Sequence, residues 1–264
     1  MNILKRELRA NLKALIIWCI ILIFLIFAGM AKFTALGPDG AGSIMNAFPA
    51  VFKVMFGAFP GLDLSTTEGA YGMLYLYVLI MAGIYAVLLG SGIISKEERD
   101  KTTEFLMVKP VTRDTILKQK LLAVLINALI FDIITLVSSV AAMTNYANAD
   151  GGVIGHIALM TLGVLFVQLV FIGIGMVFAA TFKDSKRSGL FAIVILLVMY
   201  LLYTVVGITD INPILRVFSP FAYFLPGSII AGNFGLIYAL ICVLIFAILM
   251  ILTFRAYRSR DLAI

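Results

Sequence analysis

Residues 95 to 118 read SKEERDKTTEFLMVKPVTRDTILK, and this run dictates how the rest of the chain is laid out. It holds Lys96, Arg99, Lys101, Lys109, Arg113 and Lys118, six of the twenty basic residues, with Glu97, Glu98, Asp100, Glu104 and Asp114, five of the fourteen acids. Apolar runs flank it on both sides, each meeting the requirement of about 20 residues for a bilayer span. So dense a set of charges does not enter hydrocarbon, so the run lies in water on one side of a membrane and joins two spans.

Its internal pattern predicts a short two-faced helix. Glu97, Glu98 and Asp100 crowd the first turn, where the positive end of a helix dipole favours acids, and Phe105, Leu106 and Val108 form an apolar end that water alone would leave uncovered. Pro110 stops this helix, because it has no N–H and biases Lys109 away from helical angles. Thr112 then reads as an N-cap, with Asp114 in the first turn of the helix that enters the next apolar run. A docking knob and a plain solvated loop both fit this pattern.

Outward from the loop the chain is mostly hydrocarbon: 62% hydrophobic, 13% charged, mean hydropathy +1.11. That excludes a soluble domain. Six spans are expected, over residues 14–35, 70–95, 119–143, 155–182, 189–208 and 234–254. With the amino terminus inside, 17 of the 20 Lys and Arg face the cytoplasm and only Lys32, Lys53 and Arg216 lie outside. The positive-inside rule therefore places both termini in the cytoplasm. The net charge of +6 is a topology signal, with an attraction to anionic membrane lipid, and not a nucleic-acid footprint. The amino terminus imitates a signal peptide, but its apolar run from Ala14 to Met30 is expected to stay as the first span.

The string EERDKTTEFLMVKPVTR, followed by Lys120 in KQKLLAV, resembles the first cytoplasmic loop of type-2 ATP-binding-cassette permeases, the exporter-type membrane subunits. The matching positions are Glu97, Glu98, Lys101, Thr102, Glu104, Phe105, Leu106, Pro110, Val111, Thr112 and Arg113, with Lys101 standing where glycine is commoner. The resemblance implies that the loop is a coupling helix seated in a groove of a separate cytoplasmic ATP-binding-cassette ATPase. It also implies that ATP and Mg belong to that partner and not to this chain, and that a second copy or a similar permease completes twelve spans. The fold implied is an all-α polytopic membrane protein of one permease domain over residues 1–264. Its parts are six transmembrane helices, an N-terminal interfacial elbow helix over 1–13, a cytoplasmic coupling helix in the 95–118 loop, and re-entrant external half-helices over 209–233.

The residues support parts of that plan independently. Over residues 1–13, Ile3, Leu4, Leu8 and Leu12 lie near one helical face, with Lys5, Arg6, Arg9 and Lys13 elsewhere, as in an interfacial helix or a basic topology anchor. Residues 32–69 read as a long external connection opened by the turn-forming GPDGAGS, with a helical stripe of Ile44, Phe48, Val51, Phe52, Met55, Phe56 and Phe59. Residues 209–233 carry Pro213, Pro220 and Pro226 among Phe218, Phe221, Tyr223, Phe224 and Leu225, too apolar for a free loop and too broken for a span. Small residues line the second span at Ala82, Ala86 and Gly90, beside Gly83 and Ser91, and the fourth at Gly175 and Ala179, near Gly173. They mark either tight helix packing or a subunit interface.

Asp132 is the sole ionisable residue deep in a span, and Thr135 and Ser139 share its face. This polar stripe is a candidate transport path or proton carrier, or else a structural hydrogen bond to a neighbouring helix. Cys19 and Cys242 read as small apolar side chains. The lone His156 has no Cys, Asp or Glu near it in sequence, so no metal site is expected. The KDSKRS link at 183–188 reads as a topology anchor or a second cytoplasmic contact. No stretch matches G-x-x-x-x-G-K-[ST], so a transport subunit without its own ATPase is expected, not an enzyme. Two rivals remain: an ion-coupled secondary transporter using Asp132, and an intramembrane serine protease using Ser91 with His156. Bilayer thickness separates the latter pair.

Overall fold

A computed structural model describes residues 3–59, 62–99, 112–147, 151–182, 184–208 and 213–259. Within them the chain forms α1 (Ile3–Asn46), α2 (Ala50–Met55), α3 (Thr67–Arg99), α4 (Arg113–Ala147), α5 (Gly151–Thr181) and α6 (Ser185–Ile208). There follow α7 (Pro213–Arg216), a 3-10 turn (Pro220–Ala222), α8 (Pro226–Ile230) and α9 (Leu236–Ser259). Six of these, α1, α3, α4, α5, α6 and α9, are long and apolar enough to cross a membrane, as the hydropathy of the sequence predicts.

Local chemistry sets the starts of the helices after the loops. The Thr66 hydroxyl accepts the Gly69 N–H at 3.0 Å at the head of α3, with Glu68 in the first turn. Thr112 plays the part its sequence predicts: its hydroxyl accepts the Thr115 N–H at 3.3 Å, and Asp114 occupies the first turn of α4. Pro226 stands at the start of α8, where its missing N–H costs nothing.

α3 and α5 form the buried centre. α1 packs on α4, α9 packs on α5, and α6 lies against both α3 and α5. The outer faces of α1, α6 and α9 carry exposed Ile, Leu, Val and Phe, as surfaces toward lipid must. Glycine sets the closeness of the central pair. A Cβ on Gly90 would lie 2.5 Å from the Ile172 carbonyl oxygen, and one on Gly175 would lie 2.6 Å from that of Val87. Gly173 faces the other way, toward Leu249 and Phe246 of α9. The small-residue stripes of the second and fourth spans are thus used inside one copy of the chain to bring α3 onto α5.

Two sequence expectations are corrected. Residues 3–36 are one unbroken helix, so within the described residues the amphipathic segment expected over 1–13 forms the first turns of α1 and is not set off from the span by a bend. Nor is GPDGAGS a loop: only Gly37 leaves helical geometry, at φ 73 and ψ 170, and the helix resumes beyond it to Asn46. Glycine tolerates that left-handed angle, and Pro38 then suits the first turn of the resumed helix.

The proline-rich segment before the last span folds inward. Ser219, Pro220, Phe221, Ala222, Tyr223 and Phe224 are buried. The Ser219 hydroxyl donates to the Met199 carbonyl at 2.7 Å, about 13 Å in from the end of α6 at roughly 1.5 Å of rise per residue. Phe221 packs on Phe171 and Phe224 on Phe166, with ring centroids 5.2 and 5.9 Å apart. Arg216 closes the segment by donating to the Ala222 carbonyl at 2.7 Å and lying 4.7 Å over the Tyr238 ring. Short helical pieces with polar groups bonded to protein are how irregular backbone survives among apolar spans.

Candidate functional site

The feet of the charged loop carry a set of ionic ties. Glu97 and Glu98 lie on the last turns of α3, and Arg113 is the first residue of α4. Lys101, Thr102, Glu104, Phe105, Leu106 and Pro110 lie outside the described residues.

On the α3 side, Glu7 of α1 has a fully buried side chain. Its Oε1 accepts from the Arg6 guanidinium at 2.8 Å, and its Oε2 lies 3.8 Å from the Lys96 ammonium. Ile3, one helical turn before Glu7, packs on Ile116 of α4, so this face of α1 is turned into the bundle. A carboxylate in such a place is tolerable only beside cations. Sequence reading concentrated on the leucines and the basic residues of this segment and passed over Glu7. The usable signal was that it is the single acid among the first 13 residues.

Across the loop, the ammonium of Lys120 is buried on α4 and donates to the Ile93 carbonyl of α3. At the head of α4, the Asp114 carboxylate accepts both Nε, at 2.7 Å, and Nη2 of Arg258 from the end of α9. Arg113 donates to the Arg258 backbone carbonyl at 3.1 Å. α1 is thus tied to the loop's entry and α9 to its exit, while Lys120 joins the two feet. Replacing Arg258 with alanine is expected to speed amide exchange over the last two turns of α9 and leave exchange in α3 and α5 unchanged. Hydrogen exchange read by mass spectrometry checks this.

The second candidate set, Asp132, Thr135 and Ser139, is buried at the interior of α4. Thr135 donates to the Phe131 carbonyl at 2.9 Å, and Ser139 accepts from the Tyr71 hydroxyl at 2.7 Å. Neither carboxylate oxygen of Asp132 has a hydrogen-bond partner among the described residues. Gln168 of α5 is in the same position with both amide atoms. Sequence reading missed Gln168, whose signal was a lone carboxamide in an apolar run.

The geometry separates Ser91 from His156. His156 Nδ1 lies 3.0 Å from Glu68 Oε1 at the start of α3, about 34 Å along that helix from Ser91. Ser91 donates to the Leu88 carbonyl at 3.3 Å. A nucleophile and its base need hydrogen-bond contact, which these two do not have. Among the described residues no group of three or more His, Cys, Asp or Glu stands together to hold a metal.

Six helices long and apolar enough to cross a membrane, packed around α3 and α5, define a multi-pass membrane protein. The family model described as "ABC-2 family transporter protein" matches residues 1–262, and the chain belongs to that family. It is a membrane-spanning permease of an ABC transporter. A comparison with curated proteins finds no match.

Proposed function

We propose that this permease is driven by a separate ATP-binding-cassette ATPase that grips the 95–118 loop on the cytoplasmic side. ATP and Mg act on that partner, because this chain has no phosphate-cradling loop of its own. A second copy, or a similar permease, completes the transporter, and cargo is exported along the junction between the two. Both termini lie in the cytoplasm with the loop, since 17 of 20 basic residues then face inward.

The observation that carries this reading is the anchoring of the loop's two feet. A pull on the loop reaches α3 and α4 directly, α1 through Glu7 and Lys96, and α9 through Asp114 and Arg258. The bond from Lys120 to Ile93 keeps the two feet from sliding apart, so the pull tilts spans and does not merely stretch a linker. Asp132, with its oxygens open to a new partner, is the member of the polar stripe best placed to meet water or cargo when the spans move.

Phe105→Asp is the direct test. It puts a charge on the apolar end that the ATPase is expected to cover. ATPase retention on the tagged, detergent-purified permease is expected to fall at least tenfold, with membrane insertion unchanged. Full retention with unchanged ATP-driven transport would overturn the coupling role.

A further inference from the structure

At the end of the bundle away from the charged loop, α1 and α3 diverge around a cavity of about 320 Å³. Its walls are mainly apolar, with Leu25, Phe33 and Leu36 from α1 facing Met73, Leu74 and the ring of Tyr77 from α3. Gly29 also lines it, and α1 comes so close to α3 there that a Cβ on Gly29 would lie 2.6 Å from Leu74 Cδ1. The one charged residue on the lining is Lys32.

Lys32 differs from the other basic residues at this end. Arg216 is committed to the Ala222 carbonyl and the Tyr238 ring, and Lys53 also has a partner. Lys32 has an exposed side chain with no hydrogen bond or ion pair to any described residue. An unpaired ammonium at the mouth of an apolar groove suits a ligand with one hydrocarbon chain in the groove and a negative group at its rim. A second copy's apolar helix would instead seal that charge without a counter-ion, which is costly. A zwitterionic lipid would fill the groove but answer the ammonium only weakly.

We propose that this groove is a binding site for an anionic phospholipid in the leaflet opposite the charged loop, with an acyl chain against Gly29 and Leu74 and the phosphate at Lys32. The lysine stem lies along the groove while its ammonium reaches the headgroup level. One such charge near a membrane surface is worth about a fivefold preference for an anionic lipid.

The test uses the full chain with Trp18→Phe and Phe33→Trp, giving one tryptophan in the groove, reconstituted in vesicles doped with brominated phosphatidylglycerol or brominated phosphatidylcholine. Half-maximal quenching is expected at about fivefold lower mole fraction for the phosphatidylglycerol, and Lys32→Gln should erase the difference. Met73→Trp in place of Phe33→Trp provides a second reporter if the first alters folding. Equal quenching by both lipids in the Lys32 protein would show bulk boundary lipid only and overturn the site. Absent quenching, with a Phe33→Cys chain cross-linking to its own copies, would assign the groove to a second permease and overturn it equally.

Discussion

Chains carrying Gly175→Leu are expected to leave the membrane as aggregate on size-exclusion chromatography, while the unaltered chain elutes as one species. A Cβ at this position would lie 2.6 Å from the Val87 carbonyl oxygen and 2.9 Å from the Ser91 amide nitrogen. Both are backbone atoms of α3, so no rotamer change relieves the clash, and the rest of the leucine has nowhere to go. Overpacking a core costs about 1–3 kcal/mol when side chains can adjust. Here the remedy is to separate α3 from α5, the two most buried spans, which breaks the centre of the bundle. Gly155→Leu, on the same helix, is the control, because a Cβ there meets nothing within 4 Å. Equal behaviour of the two variants would show that the α3–α5 contact is not where the structure puts it.

The second large effect is expected from Glu7→Lys. The new ammonium would replace a fully buried carboxylate beside Arg6 and within reach of Lys96. Attraction becomes repulsion at a site where the acid is buried but Arg6 and Lys96 are 31% and 25% exposed, so the cost lies below the figure of about 3–5 kcal/mol for a wholly buried pair. The first turns of α1 are expected to detach from α3 and α4, read as protease cleavage within the first 13 residues of the variant but not of the unaltered chain. Combining Glu7→Lys with Lys96→Glu restores opposite charges and should recover most of the protection. A double variant no better than the single would show that Glu7 answers to Arg6 alone and that α1 is not tied to the loop through Lys96.

Several features of the site were legible before folding. Thr112 and Asp114 announce the head of α4 because a cap and its helix are neighbours in sequence. Pro213, Pro220 and Pro226 mark a broken apolar segment that can be neither loop nor span, and the chain tucks it against α3, α5 and α6. Other features were hidden by distance along the chain. Asp114 meets Arg258 across 144 residues and His156 meets Glu68 across 88, and neither partner carries a local mark. Gly37 shows a different limit. GPDGAGS has every residue of a turn, yet only Gly37 leaves helical angles and the helix resumes beyond it, so turn-forming composition alone did not mark where the helix ends.

The sequence by itself determined the number of spans, the charged loop between the second and third, and the absence of a phosphate-binding loop. Each is a sum or a motif read over adjacent residues, and transfer from water to lipid depends on that sum alone. Only the tertiary structure decided that the small-residue stripes join α3 to α5 within one chain, and that Glu7, Lys120 and Arg258 fasten the loop's feet. A helix apolar on all sides gives no sign of which face meets its neighbour. Rotation about the helix axis is set by packing and pairing between distant segments, and those exist only once the helices are assembled.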